Sequence, residues 1–202
     1  IKMNKKEYEE IKGLSYLQYC DYLQKKYGIG LAPYFTKNWS KNHKVTRTKD
    51  GLIAHHKYED HAIMLGDVNF AVRNPYEWQL PENIVYCDYL EHLLLHILIC
   101  ESPSEEHNEL EAVGIGGVIN YIVPELNDLY SGWVTAQAWR ANCHARVKDD
   151  KEVYLLLLKR FKTNCKNYPF YEDDCLLTSY NEQFGLWSKE NNKDLFEEIN
   201  SL

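Results

Sequence analysis

The sequence has no run of ~18–20 apolar residues, the length that a membrane-spanning helix needs. Its most apolar stretch, LEHLLLHILIC at 90–100, is short and broken by Glu91, His92 and His96. The opening residues, IKMNKKEYEE, are charged and lack the apolar core of a secretion signal, so a cytoplasmic setting is expected. No C-x-x-C pair occurs. The six cysteines are scattered, which argues against a zinc knuckle and fits reduced thiols. No internal repeat or low-complexity tract is present. From Asn74 to Trp139 there is no lysine or arginine, against eleven acids, and the net charge of −7 opposes nucleic-acid binding as a property of the whole molecule.

What is present balances these absences. The 202 residues suffice for one substantial domain, or a small one with a helical extension. The apolar fraction of 45% allows an ordinary core. Sixteen tyrosines and five tryptophans suit half-buried faces and contact surfaces. Positive charge is concentrated just before the histidine-rich stretch: Lys37, Lys41, Lys44, Arg47, Lys49 and Lys57 stand against Asp50 alone. Such a local basic face can hold phosphates on an acidic protein, although a solvated face is the plainer reading.

Residues 4–27 read as helix, with Asn4 as a cap, a break at Gly13, Ser15 as a second cap and Gly28 as the stop. Leu14, Leu17, Tyr19, Tyr22, Leu23 and Tyr27 are its apolar positions. Residues 28–50 read as loop, with one short strand at Lys44–Thr48. GLIAHH (Gly51–His56) follows a turn signal and predicts a strand. Short helices are expected near Ala62–Leu65 and Val68–Arg73. NIVYC (Asn83–Cys87) predicts a second strand. The Asp88–Glu91 tetrapeptide matches a capping box, so a helix starts at Asp88 and carries His92 and His96 on one face. Further helices are expected near Glu109–Ile122, Asn127–Val147, Asp149–Asn164 and Lys193–Ile199. The fold class is therefore α+β and mostly helical, divided as 1–49 lead-in, 50–100 histidine-rich unit and 101–202 helical region.

The chemistry concentrates between Asp50 and Ile97. Adjacent histidines in a strand point to opposite faces, so His55 and His56 serve one site only if the chain bends after them. Imidazoles can ligate a metal or act as a general base near neutral pH. An asparagine such as Asn83 can brace a loop through its backbone. Glu59, Asp60 and His61 could add a ligand or orient His56, but read first as a solvated turn with a helix cap. Trp39 and Trp78 could stack bases, though packing is the simpler role. His43, His107 and His144 read as ordinary surface or helix histidines.

The order His55-His56, then Asn83, then His92 nine residues on and His96 four further resembles the HNH nuclease motif in its ββα-metal fold. The histidine-rich version is similar to that of the colicin-type DNases. GLIAHH followed by LPENIVYCDYLEHLLLH also resembles HNH-like proteins of Gram-positive bacteria and their phages. The likeness covers about residues 50–98. It implies a ββα-metal finger embedded among α-helices, with His55, His92 and His96 holding one divalent metal (Zn, Ni, Mn or Mg), although His96 could instead touch phosphate. His56 would be the general base and Asn83 the brace. The implied activity is a metal-dependent endonuclease that hydrolyses phosphodiester bonds in DNA, with RNA not excluded, in a phage or mobile-element context. Arg47, Lys49 and Lys57 are candidate phosphate contacts. Two departures stand out: the segment between His56 and Asn83 is long, and the stapling cysteine pairs of many relatives are absent. The competing reading is a non-catalytic, metal-stabilised module that binds protein or nucleic acid. Its acidic helical region would face a protein partner or a second copy in a homodimer.

Overall fold

Capping and glycine stops delimit the helices, and burial orders them around one central helix. In the computed structural model, residues 2–183 and 189–202 are described. Helix α1 spans Lys5–Ile11 behind an Asn4 cap, and α2 spans Tyr16–Tyr27 behind a Ser15–Gln18 capping box. Strand β1 is Ile53–His56, α3 is Val68–Ala71, β2 is Ile84–Cys87 and α4 is Tyr89–Glu101. Helix α5 (Val123–Tyr130) follows a π-helical turn at Gly117–Ile122. Helices α6 (Ala138–Val147), α7 (Lys151–Cys165), α8 (Tyr180–Gln183) and α9 (Lys193–Asn200) complete the chain. The protein is mostly helical with a small two-stranded antiparallel sheet, an α+β arrangement. Among the described residues no helix is long and apolar enough to cross a membrane.

The sheet is short and in register, pairing His55 with Val85 and His56 with Ile84. All four residues of β2 are buried. The expected strand at Lys44–Thr48 reduces to a single bridge, Arg47 to Ile53, beside β1. Helix α4 begins as its sequence dictates: Asp88 accepts from the amides of Leu90 and Glu91, and Glu91 accepts from the Asp88 amide. It is buried nearly all round and forms the axis of the core, packing on α2, α6, α7 and the π turn. A helix apolar on every side belongs in the centre of a domain. Glu91 also accepts from Lys26 and the Tyr27 hydroxyl, which fixes α2 against the start of α4. The hydrophobic cluster draws on residues from Met3 to Ile199, including Leu157, Leu158 and Phe161 of α7. Five of the six cysteines are buried and all six are free thiols.

Several local expectations need correction. Ala62–Leu65 forms no helix: Met64 takes a left-handed backbone (φ 56°), which a right-handed helix cannot contain. A 3-10 turn at Lys57–Asp60 stands just before it. The span 127–147 is two helices, because Gly132 (φ 92°) ends α5 in the left-handed region, and residues 131–137 form a connection. Helical structure in 109–122 begins only after Gly114. Leu17 is 53% exposed and lies off the packed face of α2. His144 is buried and bonded to Glu125 at 2.6 Å, so it is no ordinary surface histidine.

Candidate metal centre

The two strands and α4 bring four donors together. His55 is the penultimate residue of β1, Glu59 sits on the 3-10 turn that follows, and His92 and His96 lie one turn apart on α4. One ligand atom from each lies within 4.8 Å of all the others. His96 Nε2 is 3.1 Å from His92 Nε2 and 3.1 Å from a Glu59 carboxylate oxygen. His55 Nδ1 is 3.5 Å from the same Glu59 oxygen. Donors ~2.0–2.1 Å from a zinc ion at tetrahedral angles would stand about 3.3–3.4 Å apart. The shorter separations in the cluster are close to that.

The hydrogen bonds around the cluster decide where the protons sit. His96 Nδ1 is 2.9 Å from the Gly114 carbonyl, which can only accept, so Nδ1 carries the hydrogen and Nε2 offers a lone pair. The Tyr16 hydroxyl donates to the Lys57 carbonyl at 3.0 Å and can then accept from His55 Nε2 at 2.8 Å. That leaves His55 Nδ1 as a buried lone pair with no hydrogen-bond partner. Burial, the largest cause, drives the His55 imidazole down to about 3 although Glu59 opposes it. Burial likewise lowers His92 well below the ordinary range, helped by its histidine neighbours. Burial alone would raise Glu59, but the imidazoles around it, His55 first, outweigh it and hold its carboxyl well below the ordinary range. Lone pairs of His55 Nδ1 and His96 Nε2 thus face a carboxylate that can only accept. One proton can bridge one such contact; a divalent cation bridges all of them. The donor set therefore fits a metal ion.

Outer contacts hold this geometry. Gly114 (φ 88°) turns the chain so that its carbonyl meets His96, and a Cβ there would lie 2.8 Å from Ile99. Gly117 packs against the His96 ring, where a Cβ would lie 2.2 Å from Nδ1.

His56 points elsewhere. Its Nε2 is 2.8 Å from Gln79 Oε1, while Gln79 Nε2 donates to the Leu65 carbonyl. Gln79 thus acts as acceptor, and His56 Nδ1 keeps its lone pair, 3.6 Å from the second Glu59 oxygen. His56, Glu59, His92 and His96 line one cavity of about 440 Å³, with Tyr34, Ala54, Met64 and Tyr121 among its walls. No lysine or arginine is among those lining residues.

Other candidates fall outside this cavity. Asn83 Nδ2 donates to the Glu77 carbonyl at 2.8 Å, bracing the turn that carries Gln79 instead of touching a histidine. Lys57 pairs with Asp21 at 2.9 Å. Lys49 is exposed, and Arg47 lies over the Trp139 ring, 4.0 Å from its centroid. Trp78 stacks on Tyr58, and Trp39 packs near Phe35 and Tyr76. Asp60 and Ser104 bond the two nitrogens of His61. Sequence reasoning weighed Glu59 as an added ligand but read it first as part of a solvated turn, and it missed Tyr16, Gln79, Gly114 and Gly117 as supports. Only Glu59 had a local signal, three residues past the doublet. No family model, no curated protein and no solved structure matches the chain.

Proposed function

We propose that the chain is a metal-dependent endonuclease that hydrolyses phosphodiester bonds in DNA through an HNH-type ββα-metal site. One observation carries this reading. Three imidazoles from a strand end and the following helix converge with Glu59, while the adjacent His56 keeps a free lone pair at the same cavity. His55, His92, His96 and Glu59 would hold one divalent ion, and their imidazole-rich chemistry suits Zn, Ni or Mn better than Mg. When bound, the ion would polarise a phosphoryl oxygen and stabilise charge on the leaving oxygen. His56 Nδ1 takes a proton from the attacking water and later returns it to solvent. Gln79 Oε1 accepts the Nε2 hydrogen, holds that tautomer and stabilises the imidazolium. Asn83 braces the turn bearing Gln79. RNA is an alternative substrate of the same chemistry. His56→Ala should remove plasmid cleavage in Mn, Ni, Zn or Mg while metal uptake persists. An inactive wild type, or an unaffected His56→Ala, sinks the reading.

A second reading has its own support. Glu59 supplies a fourth protein donor, and structural zinc sites are closed by four protein ligands whereas catalytic ones keep a position open. No lysine or arginine is among the residues lining the cavity to receive phosphate. On this reading the metal stabilises a binding module. Glu59→Gln separates the two. In an enzyme it opens a position and retains turnover with weakened metal affinity. In a structural site it lowers the unfolding temperature with no cleavage before or after.

A further inference from the structure

The cavity at the histidines shares its His92 and Tyr121 walls with a neighbouring space. Both residues also line a second recess of about 260 Å³, whose walls include Ile53, Trp139 and Arg140. Tyr121 is 51% exposed and Trp139 38%, so two large ring systems reach the surface beside the candidate metal centre, with Arg47 over one face of Trp139. Tyr121 is presented there by the π turn, a distortion that recurs at functional sites. Cations missing from the first cavity gather around the second. Arg140 is gripped by Glu125 through two nitrogens, so its charge is largely offset. Arg47 is exposed, lies over the Trp139 ring and makes no ion pair among the described residues. Burial and then Glu59 raise the Tyr34 phenol to about 12, and the charge of Arg47 works against them. Tyr34 lines the first cavity, so Arg47 lies within electrostatic reach of one chamber and in contact with the wall of the other.

We propose that this second recess is a nucleotide subsite for an unpaired strand, with Trp139 and Tyr121 stacking a base and Arg47 pairing with its phosphate. The proposal rests on the phosphodiesterase reading and narrows its substrate to single-stranded or locally opened nucleic acid. Base faces are free only when the base is unpaired, since in a duplex both faces are covered by neighbours. Arg47 supplies the positive charge that a phosphate requires next to a carboxylate-bearing site. The shared His92 wall sets the stacked nucleotide next to the bond facing the histidine cluster. With Arg47 the subsite's one cation that no acid offsets, on an acidic protein, binding should be of modest affinity and shallow salt dependence.

The test is anisotropy of a labelled twelve-residue oligonucleotide, offered single-stranded and as a duplex to metal-loaded protein. The His56→Gln background slows cutting, and a gel confirms that the strand stays intact. Single-strand binding should exceed duplex binding at least about tenfold, and Trp139→Ala should weaken it about tenfold, as expected for losing one stacked base. Arg47→Ala should weaken it similarly, and Trp139→Phe should restore part of the loss. Both positions are exposed, and unchanged thermal midpoints and metal content show that the fold is intact. Equal binding of duplex and single strand overturns the proposal, and so does wild-type affinity in Trp139→Ala and Arg47→Ala. Hydrolysis of bis(p-nitrophenyl) phosphate by the unsubstituted protein is scored separately. If that hydrolysis is absent while strand binding depends on Trp139 and Arg47, the catalytic reading fails and the subsite stands.

Discussion

Gly117→Ala replaces one hydrogen in a helical segment, where such a change ordinarily stabilises by ~0.5–1 kcal/mol. Here the opposite is expected. The new Cβ would lie 2.2, 2.3 and 2.7 Å from Nδ1, Cε1 and Cγ of His96. Against an ordinary contact of ~3.5 Å, the nearest approach is short by roughly 1.3 Å. The ring cannot yield without giving up its 2.9 Å bond to the Gly114 carbonyl and withdrawing Nε2 from Glu59 and His92. Overpacking costs ~1–3 kcal/mol and a broken buried hydrogen bond a similar amount, partly the same relaxation, so a net loss of about 2–4 kcal/mol is expected. For a chain of this size that lowers the unfolding midpoint by roughly 5–15 °C. Loss of ligand orientation should weaken metal binding ~10–100-fold. Calorimetry and chelator competition measure the two effects. Gly116→Ala is the control, since a Cβ there meets only Asn120 Nδ2 at an ordinary 3.7 Å. It should be neutral or slightly stabilising. Wild-type stability and wild-type metal affinity in Gly117→Ala would refute the packing argument.

Two further outcomes follow from the buried polar contacts. Gln79→Leu leaves His56 Nε2 without its acceptor, so cleavage should fall by about tenfold or more while metal content is retained; unchanged turnover would remove Gln79 from the orienting role. The metal-free protein should lose stability as pH falls from about 6.5 toward 3. The folded pKa of His55 is depressed to about 3, and those of His92 and Glu59 are also lowered, so the unfolded chain binds more protons throughout this window. His55 alone sets a ceiling of roughly 5 kcal/mol, and urea titrations of apoprotein at a series of pH values would show it. Stability that is flat across this range contradicts the assignment of neutral, buried imidazoles.

The sequence made local features legible because their causes are local. The Asp88–Glu91 capping box set the start of α4, and that start placed His92 and His96 on one face beside β2. The doublet at the end of β1 identified His55, and the α4 spacing identified the other two imidazoles. The supports were hidden because each joins distant chain segments: Tyr16 reaches His55 across 39 positions and Gln79 reaches His56 across 23. Glu59 was adjacent in sequence, but its role depends on a 3-10 turn carrying it back toward His96, which no periodicity encodes. The break at Gly132 was visible as a glycine, yet the expected helix ran straight through it from Asn127 to Val147.

The bond between Tyr16 and His55 makes α2 a structural partner of the histidine cluster, reinforced by Gln24, which donates to the carbonyls of Glu82 and Ile84 at the start of β2. The strands and α4 are consequently not a transferable cassette. Excising residues 50–100 as a minimal domain would strip the hydroxyl that fixes the His55 tautomer, the lysine that meets Glu91 and the glycines that seat His96. Any chimera that borrows this site must carry its amino-terminal helices and the turn after Val113 with it.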